Sequence, residues 1–425
     1  MKPKALPFIL AGIIVILAAG LIWALIYIRN IQTPLRGVAP LIEVAAMEPD
    51  SSVWGVNFPN QYSTFLLTRE NQERTAYGGS LPFDRLEWNP RLVTLFAGMA
   101  FSVEYNEDRG HMWSLEDVRE IARTNDDSAG TCYSCKSADN PRLWAEMRPA
   151  EYFSTPFGEL GQQIDHPIGC ANCHETDTMR LIVTNPALEN ALQAQGKDWQ
   201  NFTRQEMRSV VCANCHVEYY FEPETDFLIF PWQNGTRIEE IAQYFEEIDF
   251  SDYVHGVSGA PMIKMQHPEY EMYTADSTHY RAGVACADCH MPYKRDGASK
   301  FSDHNVRSPL LNPQAACGTC HTDVEYVTGR VGVIQSQVFS TMVLTEEAII
   351  EAIYAIEAAA SLPGVDASFL EEARWLHRES QLRWDFISAE NSMGFHNSSE
   401  ALRILAVSMD LARQAQIKAL LAAGE

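Results

Sequence analysis

Five short cysteine pairs govern what this chain can become. The sequence holds ten cysteines, and each belongs to a C-x-x-C pair: Cys132–Cys135, Cys170–Cys173, Cys212–Cys215, Cys286–Cys289 and Cys317–Cys320. In four pairs the next residue is a histidine (His174, His216, His290, His321), whereas in the first it is Lys136. A C-x-x-C-H run attaches a c-type haem: two thiols bond to the porphyrin edge and the adjoining imidazole turns under the ring to reach iron. Five disulfides would satisfy the parity of an exported chain, but they leave four trailing histidines without a reason. Zinc ribbons pair C-x-x-C units without a fixed histidine after them. Covalent haem is the reading that uses every residue of the pattern. Since no cysteine is left over, the Cys132 pair carries a fifth haem.

Haems that exchange electrons must lie close together, so the motifs, spread irregularly from 132 to 321, point to one body with cofactors in its core rather than a solenoid repeat. A formal charge of −24 argues against nucleic acid or anionic lipid as a partner, and it obliges any anionic substrate to find a local positive funnel. At the N-terminus no residue from Ala5 to Ile28 is charged, a run of about 36 Å as a helix. Lys2 and Lys4 precede it, which suits a cytoplasmic end, while Arg29 and Arg36 beyond it weaken the asymmetry. With no A-x-A-like exit, the expectation is an uncleaved transmembrane anchor over residues 1–30 rather than a cleaved signal segment. Either form places the rest on the extracytoplasmic side of the membrane, where c-type haem is attached. A linker over 31–50 and a pentahaem catalytic domain over 51–425 complete the expected division.

That domain reads as mainly α, with long loops wrapping haems. Ser114 followed by Asp117 resembles a helix start, with helix-compatible residues to Arg123; Thr203 with Glu206 is a cleaner capping box leading into the Cys212 motif. Apolar residues at helical spacing predict three long C-terminal helices, about 345–361, 367–389 and 398–423, suited to core and subunit packing.

Lys136 binds iron only as the neutral amine, and a metal charge together with desolvation favours that form. A haem held by an amine differs from four histidine-ligated neighbours, which suggests chemistry on its opposite face. A surface lysine beside a haem bound through another residue is the plainer alternative. At this point the sequence resembles the ammonia-forming cytochrome c nitrite reductases, pentahaem periplasmic enzymes marked by one C-x-x-C-K motif followed by four C-x-x-C-H motifs. "CHVEYYF" (Cys215–Phe221) is similar to the family segment bearing a calcium-binding glutamate and the active-site tyrosine. "KMQHPEYE" (Lys264–Glu271) is similar to the segment bearing two further calcium ligands and the active-site histidine. The resemblance spans about residues 50 to 410.

The resemblance implies that Lys136 is the proximal ligand of a catalytic haem with its other face open. It implies that Tyr219, His267 and Arg123, the last in "IARTN", line the distal pocket. Glu218, Gln266 and the carbonyls of Tyr219 and Lys264 would hold calcium, a hard cation that prefers oxygen. Distal histidines follow from matching segments: His111 for the Cys212 haem, His279 for Cys317, His304 for Cys170 and His396 for Cys286. His166, His255 and His377 receive no role. Simpler readings stand beside these. Arg123 could complement a helix dipole, Tyr219 could be aromatic packing, Glu218 a solvated carboxylate, and His267 another distal haem ligand.

The implied activity is six-electron reduction of nitrite to ammonium, with four bis-histidine haems relaying electrons. A quinol-oxidising membrane cytochrome would donate them, and a homodimer would form through the C-terminal helices. A tethered electron carrier with every haem closed is the non-enzymatic rival. Hydroxylamine or sulfite would suit the same iron pocket.

Overall fold

The computed structural model describes residues 6–32, 40–107 and 109–424. Two compact units divide at Glu43, inside the expected linker: Met1–Glu43 and Val44–Glu425.

In the first unit, the apolar N-terminal run forms one helix, α1 (Leu6–Gln32). Side chains are described there only over residues 12–25. Among the described residues no helix is long and apolar enough to cross a membrane. The transmembrane helix is therefore not supported by the structure, and the remainder of that expectation lies outside the described residues.

In the second unit, haem-motif segments are short helical turns joined by loops, and the sheet content is three two-stranded hairpins. Tyr220–Phe221 (β1) pairs with Leu228–Ile229 (β2), Tyr253–Val254 (β3) with Pro261–Met262 (β4), and Tyr293–Asp296 (β5) with Ser299–Ser302 (β6), all antiparallel. The expected helix after His111 exists as α2 (Ser114–Glu120) but stops three residues short of Arg123. Ser114 does not cap it. Its hydroxyl instead donates to the carbonyls of His111 and Lys136, both at 2.8 Å, and Asp117 pairs with Arg109. The helix starts where the pattern places it, with the Ser114 hydroxyl serving carbonyls rather than capping the first turn. The Thr203–Glu206 capping box does open α3 (Arg204–Val210), and α4 (Glu269–Thr274) follows the "KMQHP" segment.

Of the three long helices, α6 (Ala367–Ala389) and α7 (Ser398–Ala423) have the predicted bounds. The first does not. α5 runs Val324–Ala360, about twenty residues earlier than the apolar pattern suggested. Gly329 and Gly332, with a run of β-branched residues, mark its first half as a weak helix former. Asp323 caps it, and Val331, Gln335, Val338 and Met342 bury one stripe. Tertiary burial stabilises what local propensity does not.

The second half of α6 is enclosed on nearly every side: from Leu382 to Ala389 only Arg383 is not buried. Most of the helix's buried polar side chains are matched, although Trp384 Nε1 and Arg383 Nε have no partner. Gln381 donates to the Leu95 carbonyl, Arg378 to those of Pro261 and Phe250, and Ser380 to that of Ser408. Trp384, Phe386 and Ile387 join Ile349, Ile353, Ile404, Phe96 and Phe245 in one core. A second core of Tyr133, Tyr152, Phe153, Phe157 and Trp232 lies around the Cys132 motif.

Glu346, on α5, is a buried carboxylate, 2% exposed. Burial raises it to about 7 from 4.5, against hydrogen bonds from Asn89 and the charge of Arg91. A carboxyl raised on folding contributes full stability below pH 4.5 and loses it as pH climbs to about 7. Glu346→Gln is therefore expected to gain stability relative to the parent from pH 5 to 7 and to hold a constant difference above that. Denaturant midpoints at pH 5, 6, 7 and 8 measure it; parallel curves would refute the assignment.

Candidate active site

Each C-x-x-C-H motif turns back on itself. The histidine N–H donates to the first cysteine carbonyl at 3.0 Å for His174, 2.9 Å for His216 and 2.9 Å for His321. The lysine motif closes differently, with the Lys136 N–H on the Tyr133 carbonyl at 2.9 Å. The motifs are neighbours. The Cys135 and Cys215 thiols lie close enough to act on one another's titration, as do those of Cys212 and Cys286. Cys173 acts electrostatically on Cys212 and Cys215, and Cys317 on Cys289. The Cys212 motif thus touches three others, and the Cys317 motif lies beyond Cys286.

Fitness for haem is tested by the histidines. Two imidazoles bound to one metal, each at about 2 Å, place their ring centres roughly 6 Å apart. The rings of His174 and His304 are 6.3 Å apart, those of His279 and His321 6.4 Å, and those of His290 and His396 6.4 Å. A ligating Nε2 also requires Nδ1 to carry the proton and donate it. Nδ1 faces the Met179 carbonyl from His174 (3.0 Å), Arg307 from His290 (3.1 Å), Ser302 from His304 (2.8 Å) and the Glu390 carboxylate from His396 (3.0 Å). The fourth pair, His111 and His216, lies close enough for His216 and Lys136 to assist burial in pushing His111 down to about 4. His255 and His377 differ: each engages both ring nitrogens, His255 with Thr94 and the Ser258 N–H, His377 with Ser258 and Gln381. They are core histidines, and His166 lies on Asp139.

Around the lysine motif, burial raises the Cys132 thiol to about 11, with Lys136 and then Arg123 acting against it. Burial also lifts the Tyr219 hydroxyl well above 10, opposed by Arg123. Arg123, Tyr219 and the Cys132 pair therefore occupy one neighbourhood. Arg123 stands in the turn after α2, its guanidinium 3.9 Å from the Phe101 ring centre and its buried Nε without a hydrogen bond. His267 reaches the same region through its chain neighbour, because the Gln266 N–H donates to Glu218 at 2.7 Å. Among the described residues no hydrogen bond links the His267, Tyr219 and Arg123 side chains. Glu269 stands 3.9 Å from His267 Nδ1 and 3.7 Å from His216 Nδ1, so one carboxylate faces both.

The calcium candidates also converge. Gln266 Nε2 donates to the Lys264 carbonyl at 3.0 Å, and half a turn of that amide presents Oε1 instead. Glu218 and Glu271 are both fully buried, and each has one carboxylate oxygen without a hydrogen-bond partner. Burial pushes Glu218 well above 4.5 and Glu271 to about 8, each raised further by a neighbouring carboxylate. A divalent cation would keep such carboxylates ionised, so the donor set fits a hard metal. Among the described residues, however, no cluster of three His, Cys, Asp or Glu is present that would hold a metal alone; carbonyl and amide oxygens would supply the rest.

Asp385 of α6, unmarked in the sequence, fastens this segment. It accepts from the Met265 N–H at 2.8 Å and from Lys264 Nζ, with the pair 0% and 1% exposed. Burial works against the Lys264 charge, but Asp385 outweighs it and holds the ammonium above its ordinary range. Phe96, Phe101 and Tyr105 surround that ammonium at 5.0, 5.0 and 5.5 Å. Asp385→Ala would strand a buried charge, at a cost of about 3–5 kcal/mol. The expected result is a large drop in the urea midpoint; a drop under about 1 kcal/mol would show that the pair carries no such burden.

A family model described as cytochrome c552 matches residues 50–425. Cytochrome c-552 of Bacteroides fragilis strain YCH46 is 39% identical over 412 residues, covering 95% of this chain and 83% of that protein. Cytochrome c-552 of Parabacteroides distasonis is 37% identical over 417 residues, with the same coverage of 95% and 83%. The solved catalytic subunit of cytochrome c nitrite reductase from Desulfovibrio desulfuricans, which has two calcium sites, superposes with a TM-score of 0.85 at 36% identity, covering 90% of this chain and 88% of that one. The chain belongs to the cytochrome c552 family and has the fold of a cytochrome c nitrite reductase catalytic subunit.

Proposed function

We propose that the chain reduces nitrite to ammonium, taking up six electrons and eight protons and releasing two waters. One observation carries the reading: the Cys132 pair, the motif that ends in Lys136 rather than histidine, has a cation and a phenol, Arg123 and Tyr219, acting on its surroundings. When bound there through Cys132, Cys135 and Lys136, haem supplies the redox centre and an open coordination position. Everything else falls to side chains. Arg123 draws in the anion against a net charge of −24 and holds its oxygen as negative charge grows there. Tyr219, its hydroxyl kept protonated by burial, donates a hydrogen bond to the same oxygen. His267, oriented by Glu269, delivers protons at its ring nitrogen as each N–O bond breaks. Glu218, Gln266 and the carbonyls of Tyr219 and Lys264 hold calcium, tying the tyrosine strand to the histidine segment.

Four further haems relay electrons in this reading. They are attached at Cys170/Cys173, Cys212/Cys215, Cys286/Cys289 and Cys317/Cys320 and ligated by His174 with His304, His216 with His111, His290 with His396, and His321 with His279. Ring spacings support three of those pairs, and the electrostatic effect of His216 on His111 supports the fourth. Residues 51–425 act as the catalytic body on the extracytoplasmic side of the membrane, supplied by a quinol-oxidising membrane cytochrome. Exposed Tyr326, Leu344 and Tyr354 on α5 support a homodimer through the long helices.

The test is steady-state nitrite consumption with a reduced viologen donor, with ammonium quantified. Stoichiometric ammonium and a nitrite-sensitive high-spin signal are expected. A protein that takes up electrons, forms no ammonium and shows only low-spin haem is a carrier instead.

A further inference from the structure

We propose that Glu390 sets the potential of the haem at the Cys286 motif: by accepting the Nδ1–H of His396 it strengthens that imidazole as a donor and holds this haem lower than a neutral acceptor would. The inference rests on the reading above in which His290 and His396 face one another across that haem.

The two imidazoles are 6.4 Å apart but unequally supported. His290 Nδ1 faces a neutral carbonyl, that of Arg307 at 3.1 Å, whereas His396 Nδ1 faces the Glu390 carboxylate at 3.0 Å. The His174–His304 pair has nearly the same ring spacing, 6.3 Å, yet both of its acceptors are carbonyls, of Met179 and Ser302. The molecule thus contains its own control. His216 also has a carboxylate neighbour, but the facing Glu269 oxygen is 3.7 Å away, beyond hydrogen-bond distance, while the other oxygen takes the Asn391 amide at 2.7 Å.

Glu390 follows directly on α6 and is fully buried. The loop after it is folded around its carboxylate. Ser392 Oγ donates to it at 2.7 Å, as does the Gly394 N–H, and the His396 N–H in turn donates to Ser392 Oγ at 2.9 Å. Gly394 sits at φ 77°, where a Cβ would come within 2.6 Å of Val338, so the loop has little freedom to shift. The carboxylate is held in place, not merely nearby. A charged acceptor pulls on the Nδ1 proton, raises the basicity of the ligating nitrogen and favours ferric over ferrous iron. Burial keeps water from screening the effect. Because the Cys286 motif lies between those of Cys212 and Cys317, electrons passing to the Cys317 end meet this low-potential site.

The experiment is an optical and paramagnetic-resonance redox titration of the five-haem protein, comparing parent, Glu390→Gln, Glu390→Asp and Ser392→Ala. Glu390→Gln is expected to move one low-spin haem to higher potential at unchanged haem content, and Glu390→Asp to bring it back toward the parent. Ser392→Ala removes a competing donor and leaves more of the carboxylate's charge for His396, so the same haem should move lower. Superimposable titrations of parent and Glu390→Gln overturn the proposal, as does a displacement of all components together. If Glu390→Gln fails to assemble, Ser392→Ala decides alone: a negative shift supports the role, and no shift or a positive one refutes it. A parent protein without four low-spin haems would overturn the ligand reading itself, a result independent of either variant.

Discussion

His267→Ala is expected to lower ammonium formation from nitrite by about 10²- to 10⁴-fold, the usual contribution of a positioned proton donor, while all five haems stay attached. The segment that carries it is independently anchored. Glu218 takes the Gln266 N–H, Asp385 takes the Met265 N–H and the Lys264 ammonium, and Asp252 takes the Lys264 N–H. Removing the imidazole therefore deletes a proton carrier without releasing the chain. Glu269 keeps the Asn391 amide on Oε1. The measurement is turnover with a viologen donor alongside a haem-to-protein ratio. Unchanged turnover would remove His267 from the proton path. Loss of a haem would instead identify it as a distal iron ligand.

Arg123→Gln is expected to cost about 10²–10³ in kcat, the range for deleting one donor to a developing oxyanion, and to raise KM for nitrite. The two effects have separate causes. The guanidinium stabilises charge that grows on oxygen as the N–O bond breaks, and it also offsets the repulsion between an anion and a strongly acidic protein. That second effect is long-ranged, so the parent's KM should rise with ionic strength while that of the variant stays flatter. Arg123→Lys should recover part of the KM and little of kcat, because a lysine does not reproduce a planar fork stacked on Phe101. If Arg123→Gln changes neither constant, the residue is a surface cation after a short helix and nothing more.

The site was legible in the sequence to different depths. The cysteine pairs and the residue after each were plain, because attachment chemistry fixes them within five consecutive positions. Helices α6 and α7 were plain too, since long apolar periodicity outweighs noise at their ends. The first half of α5 was not, because its glycines and β-branched residues argue against helix until burial is known. The end of α2 was not legible either: the backbone turns extended at Ile121 although the residues on to Arg123 are helix-compatible. Asp385, Phe101, Glu269 and Glu390 left no mark at all. Each is an ordinary residue type with no fixed spacing to any motif, and its significance lies in what folds against it.

By itself, the sequence determined where cofactors can be attached and which residue hangs beneath each pair, because a covalent thioether and its adjoining ligand are local and allow little choice. Tertiary structure decided which distant ring faces which, bringing His304 to His174 and His396 to His290 across more than a hundred residues of chain. It also decided whether a carbonyl or a carboxylate stands behind each ring. Those choices follow from packing, where a contact exists only once every intervening element has found its place.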